Sequence, residues 1–146
     1  MIKKLFALLF CAALLGASAG CSDDKDEGEG VLTDPSALVG KWQVIQELEH
    51  YQRNGEWHDV VDYDVDNLNG GDLFFEIFES NGVYRYENYD LNGTMWKSGS
   101  NTWRYENEII HIDRYAYTVI VLTPSKLVYR DYDDEEYEEI TLVRIE

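Results

Sequence analysis

The sequence predicts an all-β domain: an up-and-down antiparallel meander of eight or nine strands closed into a barrel. Three observations predict it. From Gly40 onward apolar and polar residues alternate with a period of two, and no window keeps a convincing helical period. Turn signals recur at short intervals, among them Asn54-Gly55, Asn69-Gly70-Gly71, Ser80-Asn81-Gly82, Asn92-Gly93, Thr123-Pro124-Ser125 and Asp133-Asp134. The connections are short, which makes neighbours in sequence antiparallel neighbours in the sheet. So large a sheet would leave two open edges, and closure removes them. A Greek-key sandwich needs long crossovers, and only 64–71 and 91–100 are long enough to supply one.

Taken in order, residues 1–20 have the parts of an export signal. Lys3 and Lys4 form a positive start, 5–15 is apolar, and Gly16, Ala17, Ser18, Ala19 and Gly20 are the small residues a signal peptidase needs. The stretch is short for a membrane span, and a core helix would need a polar face that it lacks. Residues 21–32 read as an acidic, flexible tether. The barrel domain is expected over 33–146. It opens with one helical turn, where Asp34 caps and Pro35 suits the first position. Strands are expected at 41–51, 56–63, 72–79, 83–90, 101–106, 108–113, 116–122, 126–132 and 136–145. Met95-Trp96-Lys97 either extends the fourth or forms a short strand of its own.

Composition narrows the partners. The 146 residues carry 12 bases and 29 acids, a formal charge of −17. Residues 1–20 hold two of those bases and no acid, so the charge becomes −19 without them. Nucleic-acid binding is excluded, because phosphate neutralisation needs a basic face. An anionic membrane surface is an equally poor match for the folded part. With 45% apolar residues the chain buries a core rather than staying disordered. Of the two cysteines, Cys11 lies in the export segment and Cys21 follows the small residues. The processed chain therefore has no disulfide.

Ala19-Gly20-Cys21 resembles the lipobox of bacterial lipoproteins. That resemblance implies that Cys21 is lipidated and anchors the chain to a membrane. The acidic run behind it is similar to the surface-export signal of some Gram-negative lipoproteins. The implied address is the outer membrane, with the cell surface as one face of it. Val39-Gly40-Lys41-Trp42 resembles the Gly-x-Trp motif of lipocalins. In that family the Trp plugs the closed end of the barrel and an Arg from the last strand packs across it. Here these would be Trp42, next to Gly40, and Arg144. The whole of 39–146 is similar to the lipocalin-like domain of bacterial envelope lipoproteins. Further hallmarks are Phe74-Phe75-Glu76-Ile77-Phe78, Asn81-Gly82-Val83-Tyr84 and Thr102-Trp103-Arg104-Tyr105. The long loops and disulfide of transport lipocalins are absent.

The chemistry-bearing residues suggest binding rather than catalysis. If Trp42 faces inward, strict alternation turns Val44, Gln46, Leu48 and His50 inward as well. Tyr84 and Tyr86 share one strand face, as do Tyr115 and Tyr117. Together Gln46, His50, Tyr84, Tyr86, Tyr115 and Tyr117 are the candidate lining of a cavity. Rings with polar tips suit a small amphipathic ligand or a sugar. The same rings could instead fill a small barrel, leaving an interaction module whose acidic, Tyr-rich exterior meets a protein or a glycan. Asp62, Asp64 and Asp66 have the spacing of the first calcium-loop ligands, but Asn67 and Leu73 replace the Gly and Glu the loop needs. An Asn54-Gly55 hairpin would pair Tyr51 with His58 and His50 with Asp59, placing the imidazoles on opposite faces. No metal, cofactor or nucleophile motif is present. A pair of carboxylates for an envelope hydrolase remains a third reading.

Overall fold

A computed structural model describes residues 30–67 and 71–146. The export segment, Cys21 and the tether through residue 29 lie outside the described residues, as do 68–70. The strands are β1 Gly40–Arg53, β2 Glu56–Asp64, β3 Leu73–Phe78, β4 Val83–Tyr89, β5 Met95–Glu106, β6 Ile109–Ile112, β7 Tyr115–Leu122, β8 Lys126–Asp133 and β9 Glu136–Arg144. All pair antiparallel, and β1 also pairs β9, so the sheet closes. The barrel proper has eight strands, and β2 is the extra one.

Ahead of the barrel, Pro35–Ala37 forms one 3-10 turn, with Asp34 accepting from the Ser36 amide at 2.9 Å. Residues 30–32, expected as the end of the tether, instead run parallel to the end of β7, with Leu122 donating to Gly30 and accepting from Leu32. Met95-Trp96-Lys97 neither extends β4 nor stands alone. It begins β5, after a turn in which the Asp90 side chain accepts from the Asn92 and Thr94 amides.

The meander departs from sequence order once. Strand β2 does not pair β3. The long β1 serves both, its first residues pairing β3 from Gly40 to Gln43 and its later ones pairing β2 from Gln46 to Arg53. Fourteen residues is more than one neighbour of ordinary length can cover. The β2 hairpin therefore projects past the barrel and is exposed on most of its length. Tyr63 ties its base back, with its hydroxyl donating to the Asp72 carbonyl at 3.1 Å and its ring edge-on to Phe74.

The closed end is packed solid. Leu38, Trp42, Phe78, Ile110, Leu122, Leu127 and Leu142 are fully buried there. The Trp42 indole donates to the Leu38 carbonyl at 2.8 Å. The Arg144 guanidinium stacks 4.2 Å over the Trp42 ring and donates to the carbonyls of Ala37, Val39 and Pro124. Those are chain-end carbonyls that the 3-10 turn and the β7–β8 turn leave unpaired, so one cation satisfies three acceptors. Gly40 has φ +147°, and a Cβ there would collide with the Arg144 guanidinium. The positive φ and the close approach of both Arg144 and the Glu146 carbonyl thus explain the glycine two residues before the tryptophan.

Candidate functional site

The opposite end of the barrel is hollow. A cavity of about 310 Å³ opens there, walled by Tyr84 and Tyr86 of β4, Tyr115 and Tyr117 of β7, and Tyr129 of β8. Ile112, Ile140 and Asn101 complete the apolar and neutral wall, and Asp131 and Glu138 stand with Glu76 as its acids. One smaller feature makes room for the rings. Gly99 lets the Tyr86 ring lie directly against the β5 backbone, where a Cβ would meet Tyr86 at 2.5 Å. Tyr117 and Tyr129 pack at 5.2 Å, while Tyr84 leans on Phe78 at 5.3 Å, which joins the lining to the core below.

Glu76 forms the floor. It occupies the central inward position of β3, between Phe74 and Phe78 on the same face. The residue is 9% exposed. Tyr129 donates to Oε1 at 2.6 Å, but Oε2 is buried with no hydrogen-bond partner among the described residues. Desolvation pushes the carboxyl up from the ordinary 4.5 to about 7, against the opposing pull of Tyr129 and the adjacent Tyr84, and Glu47 adds to the rise. Burial next to this acid also raises Tyr84 and Tyr129, so their hydroxyls are donors throughout the physiological range.

Above the floor the carboxylates repel one another. Glu47 is raised by burial, then by Glu138 and Asp62. Glu138 is raised by burial, then by Glu49, Asp131 and Asp62. Tyr117 is pushed up to about 12, first by burial and then by Asp131 and Glu76. The mouth is therefore a ring of like charge around an aromatic well.

Of the six residues expected to line the cavity, the structure brings Tyr84, Tyr86, Tyr115 and Tyr117 together and leaves out Gln46 and His50. A bulge explains the exclusion. Val44 pairs Leu142, but Gln46 pairs Thr141, so Ile45 is an extra residue and the alternation reverses. Glu47 and Glu49 take the inward side, opposite Ile140 and Glu138, and Gln46 shares the side of Thr141. His50 lies on the outer face, stacked between Trp57 at 4.7 Å and Tyr137 at 4.6 Å, with Nδ1 2.6 Å from Asp59 Oδ1. Its partners across the hairpin are those the Asn54-Gly55 turn implies, Asp59 facing His50 and His58 facing Tyr51. Open clefts by the rim, beside His50, Tyr132 and Tyr137, and between Trp57 and residues 133–136, hold no buried polar group without a partner.

Sequence reasoning missed Glu76, Glu138, Asp131 and Tyr129 as site residues. A signal for Glu76 did exist: it is an acid at the one inward position between two phenylalanines of a strand that is otherwise apolar. At 62–67, the Asp64 carboxylate accepts from the Asp66 amide and the Asn67 side chain, so it serves the turn. Among the described residues no group of three or more His, Cys, Asp or Glu is placed to hold a metal ion.

The closed meander, the plugged base and the hollow, ring-lined mouth define a calycin-like β-barrel. No protein-family model matches the sequence, and no curated protein matches it.

Proposed function

We propose that the chain is a lipid-anchored, lipocalin-like protein of the cell envelope that binds a small amphipathic molecule, without transforming it, in the open end of its barrel. The observation that carries this reading is the cavity itself. Five tyrosines line a half-open space of about 310 Å³, at the low end of the range for small-molecule sites, with the buried Glu76 carboxyl at its floor. The barrel is neither filled nor a channel, because the Trp42–Arg144 plug closes its base. The Gly40-x-Trp42 motif and the late Arg144 support the lipocalin-like assignment. The export segment, Ala19-Gly20-Cys21 and the acidic tether support an outer-membrane anchor. On that reading Cys21→Ala releases the protein from the membrane fraction; retention of the mutant there after signal removal contradicts the anchor.

A neutral fluorophore, N-phenyl-1-naphthylamine, tests the binding reading. One molecule per barrel should bind with enhanced emission, and Ile140→Trp, which fills the cavity, should abolish it. Absence of uptake by the parent protein, or uptake that Ile140→Trp leaves unchanged, overturns the reading.

One observation favours a second function. Glu76 and Glu138 have raised pKa values in one cavity, as the acid of a hydrolytic pair requires. Binding is preferred because Glu76 is held by a tyrosine hydroxyl, and among the described residues no imidazole or serine lines the cavity. Turnover of nitrophenyl glycosides or esters that disappears in Glu76→Gln would move the assignment to a hydrolase.

A further inference from the structure

The chemistry of the cavity selects a charge type for its ligand. We propose that the open end of the barrel takes an organic monocation, an amine or quaternary ammonium carrying a compact apolar body, with its positive head seated over the Glu76 carboxyl among the tyrosine rings. This rests on the binding reading and narrows it.

Four observations converge. First, Glu76 Oε2 is buried and accepts no hydrogen bond among the described residues, although Tyr129 donates to Oε1 of the same carboxyl and the Tyr84 hydroxyl also pulls on it. Buried polar atoms are nearly always paired, and an unpaired one on a residue that lines a cavity marks where a ligand group can complete the set. Second, every charged residue lining the cavity is acidic: Glu76, Asp131 and Glu138. Glu47, Glu49 and Asp62 add to the same field from β1 and β2, as their mutual repulsion with Glu138 shows. An anion entering this mouth would meet repulsion at each step, and a cation attraction. Third, the walls are tyrosine faces, whose negative quadrupoles favour a cation. Two lining rings already show that preference at the rim, with Lys97 standing 5.7 Å over Tyr86 and Arg114 5.1 Å over Tyr115. Fourth, neither Lys97 nor Arg114 lines the cavity, and their recorded partners are Tyr86 and Tyr115 rather than Glu76. The seat is held by the acid and the rings alone.

The groups facing Glu76 are Glu47 of β1, Tyr84 of β4, Tyr117 of β7 and Tyr129 of β8, with Tyr86, Asp131 and Glu138 higher in the cavity. All are acids or phenols. A bound cation therefore stabilises the ionised Glu76 carboxylate and expels its proton. Cation affinity should rise with pH through about 7, where the empty site loses that proton.

Calorimetric titration of the full-length protein with three phenethyl probes of different charge provides the test. 2-Phenylethylamine should bind at least about tenfold more tightly than 2-phenylethanol, and 3-phenylpropanoate should not bind measurably. Glu76→Gln should bring the amine down to the level of the alcohol while leaving the alcohol and N-phenyl-1-naphthylamine bound. With phenethyltrimethylammonium, whose charge does not change with pH, affinity should climb through neutrality in the parent and stay flat in Glu76→Gln. Equal affinity of amine and alcohol, or binding of the naphthylamine alone, overturns the cation preference and leaves the binding reading intact. Failure of 2-phenylethylamine, 2-phenylethanol, phenethyltrimethylammonium and N-phenyl-1-naphthylamine to bind overturns both. A gain of about tenfold or more in amine affinity on Lys97→Met or Arg114→Met would show that a cation of the protein already takes the seat, and would also overturn the proposal.

Discussion

Glu76 shows how a single inward position on a strand acquires a role. Its neighbours on the same face are Phe74 and Phe78, and a third apolar residue there would extend the core by one layer. An acid in that layer costs stability once it ionises. The folded pKa of about 7 lies above the ordinary 4.5, so between those values the folded state keeps a proton that the unfolded chain gives up. Stability is then full below about pH 4.5 and falls as pH rises through 7, by up to about 3 kcal/mol. Glu76→Gln should abolish this slope. Chemical denaturation across the pH range should find the variant more stable than the parent above pH 7 and equal to it at acid pH. Equal stability at all pH values would mean that Glu76 is not desolvated. A residue that lowers the stability of its own fold invites a functional explanation, and the ligand seat supplies one.

Among the elements, β1 carries most of the architecture. Its first residues close the base through Trp42, and its later ones carry the bulge that sets which side chains see the cavity. Removing the Trp42 indole should cost about 3–5 kcal/mol, as for other buried aromatics. Arg144→Ala should cost about 1–3 kcal/mol, chiefly through the carbonyls of Ala37, Val39 and Pro124 left unpaired. The side chains touch, so the double variant should lose less than the sum of the singles in denaturant unfolding. Strict additivity would contradict the stacked geometry. The same strand shows where the sequence is legible and where it is not. Period two, the Asn54-Gly55 hairpin and the Asp34–Pro35 turn are local, and they specify nearly every strand and the pairing of His50 with Asp59. The bulge at Ile45 is not local. It sits among Val44, Ile45 and Gln46, none a glycine, and arises from matching β1 to both β3 and β9. One extra residue sends Gln46 and His50 outside and brings Glu47 and Glu49 in, which alternation alone cannot reveal.

At the scale of the molecule, the barrel divides into two halves with different work. The lower half is aliphatic and aromatic core, sealed by the plug. The upper half exchanges core for tyrosines and acids, and remains hollow. Tyr84, Tyr86, Tyr115 and Tyr117 were legible as a lining because shared strand faces survive any register. Whether such rings fill a barrel or surround a space depends on its diameter and on Gly99 beneath Tyr86, which emerge only on closure. The eleven tyrosines make that space directly observable. With ring-labelled tyrosine, titration with N-phenyl-1-naphthylamine should shift the resonances of Tyr84, Tyr86, Tyr115, Tyr117 and Tyr129, which line the cavity. Tyr51, Tyr89, Tyr132 and Tyr137, which do not line it, should stay in place. Shifts confined to Tyr132 and Tyr137 beside His50, or no shift at the five lining rings, would contradict a ligand site inside the barrel.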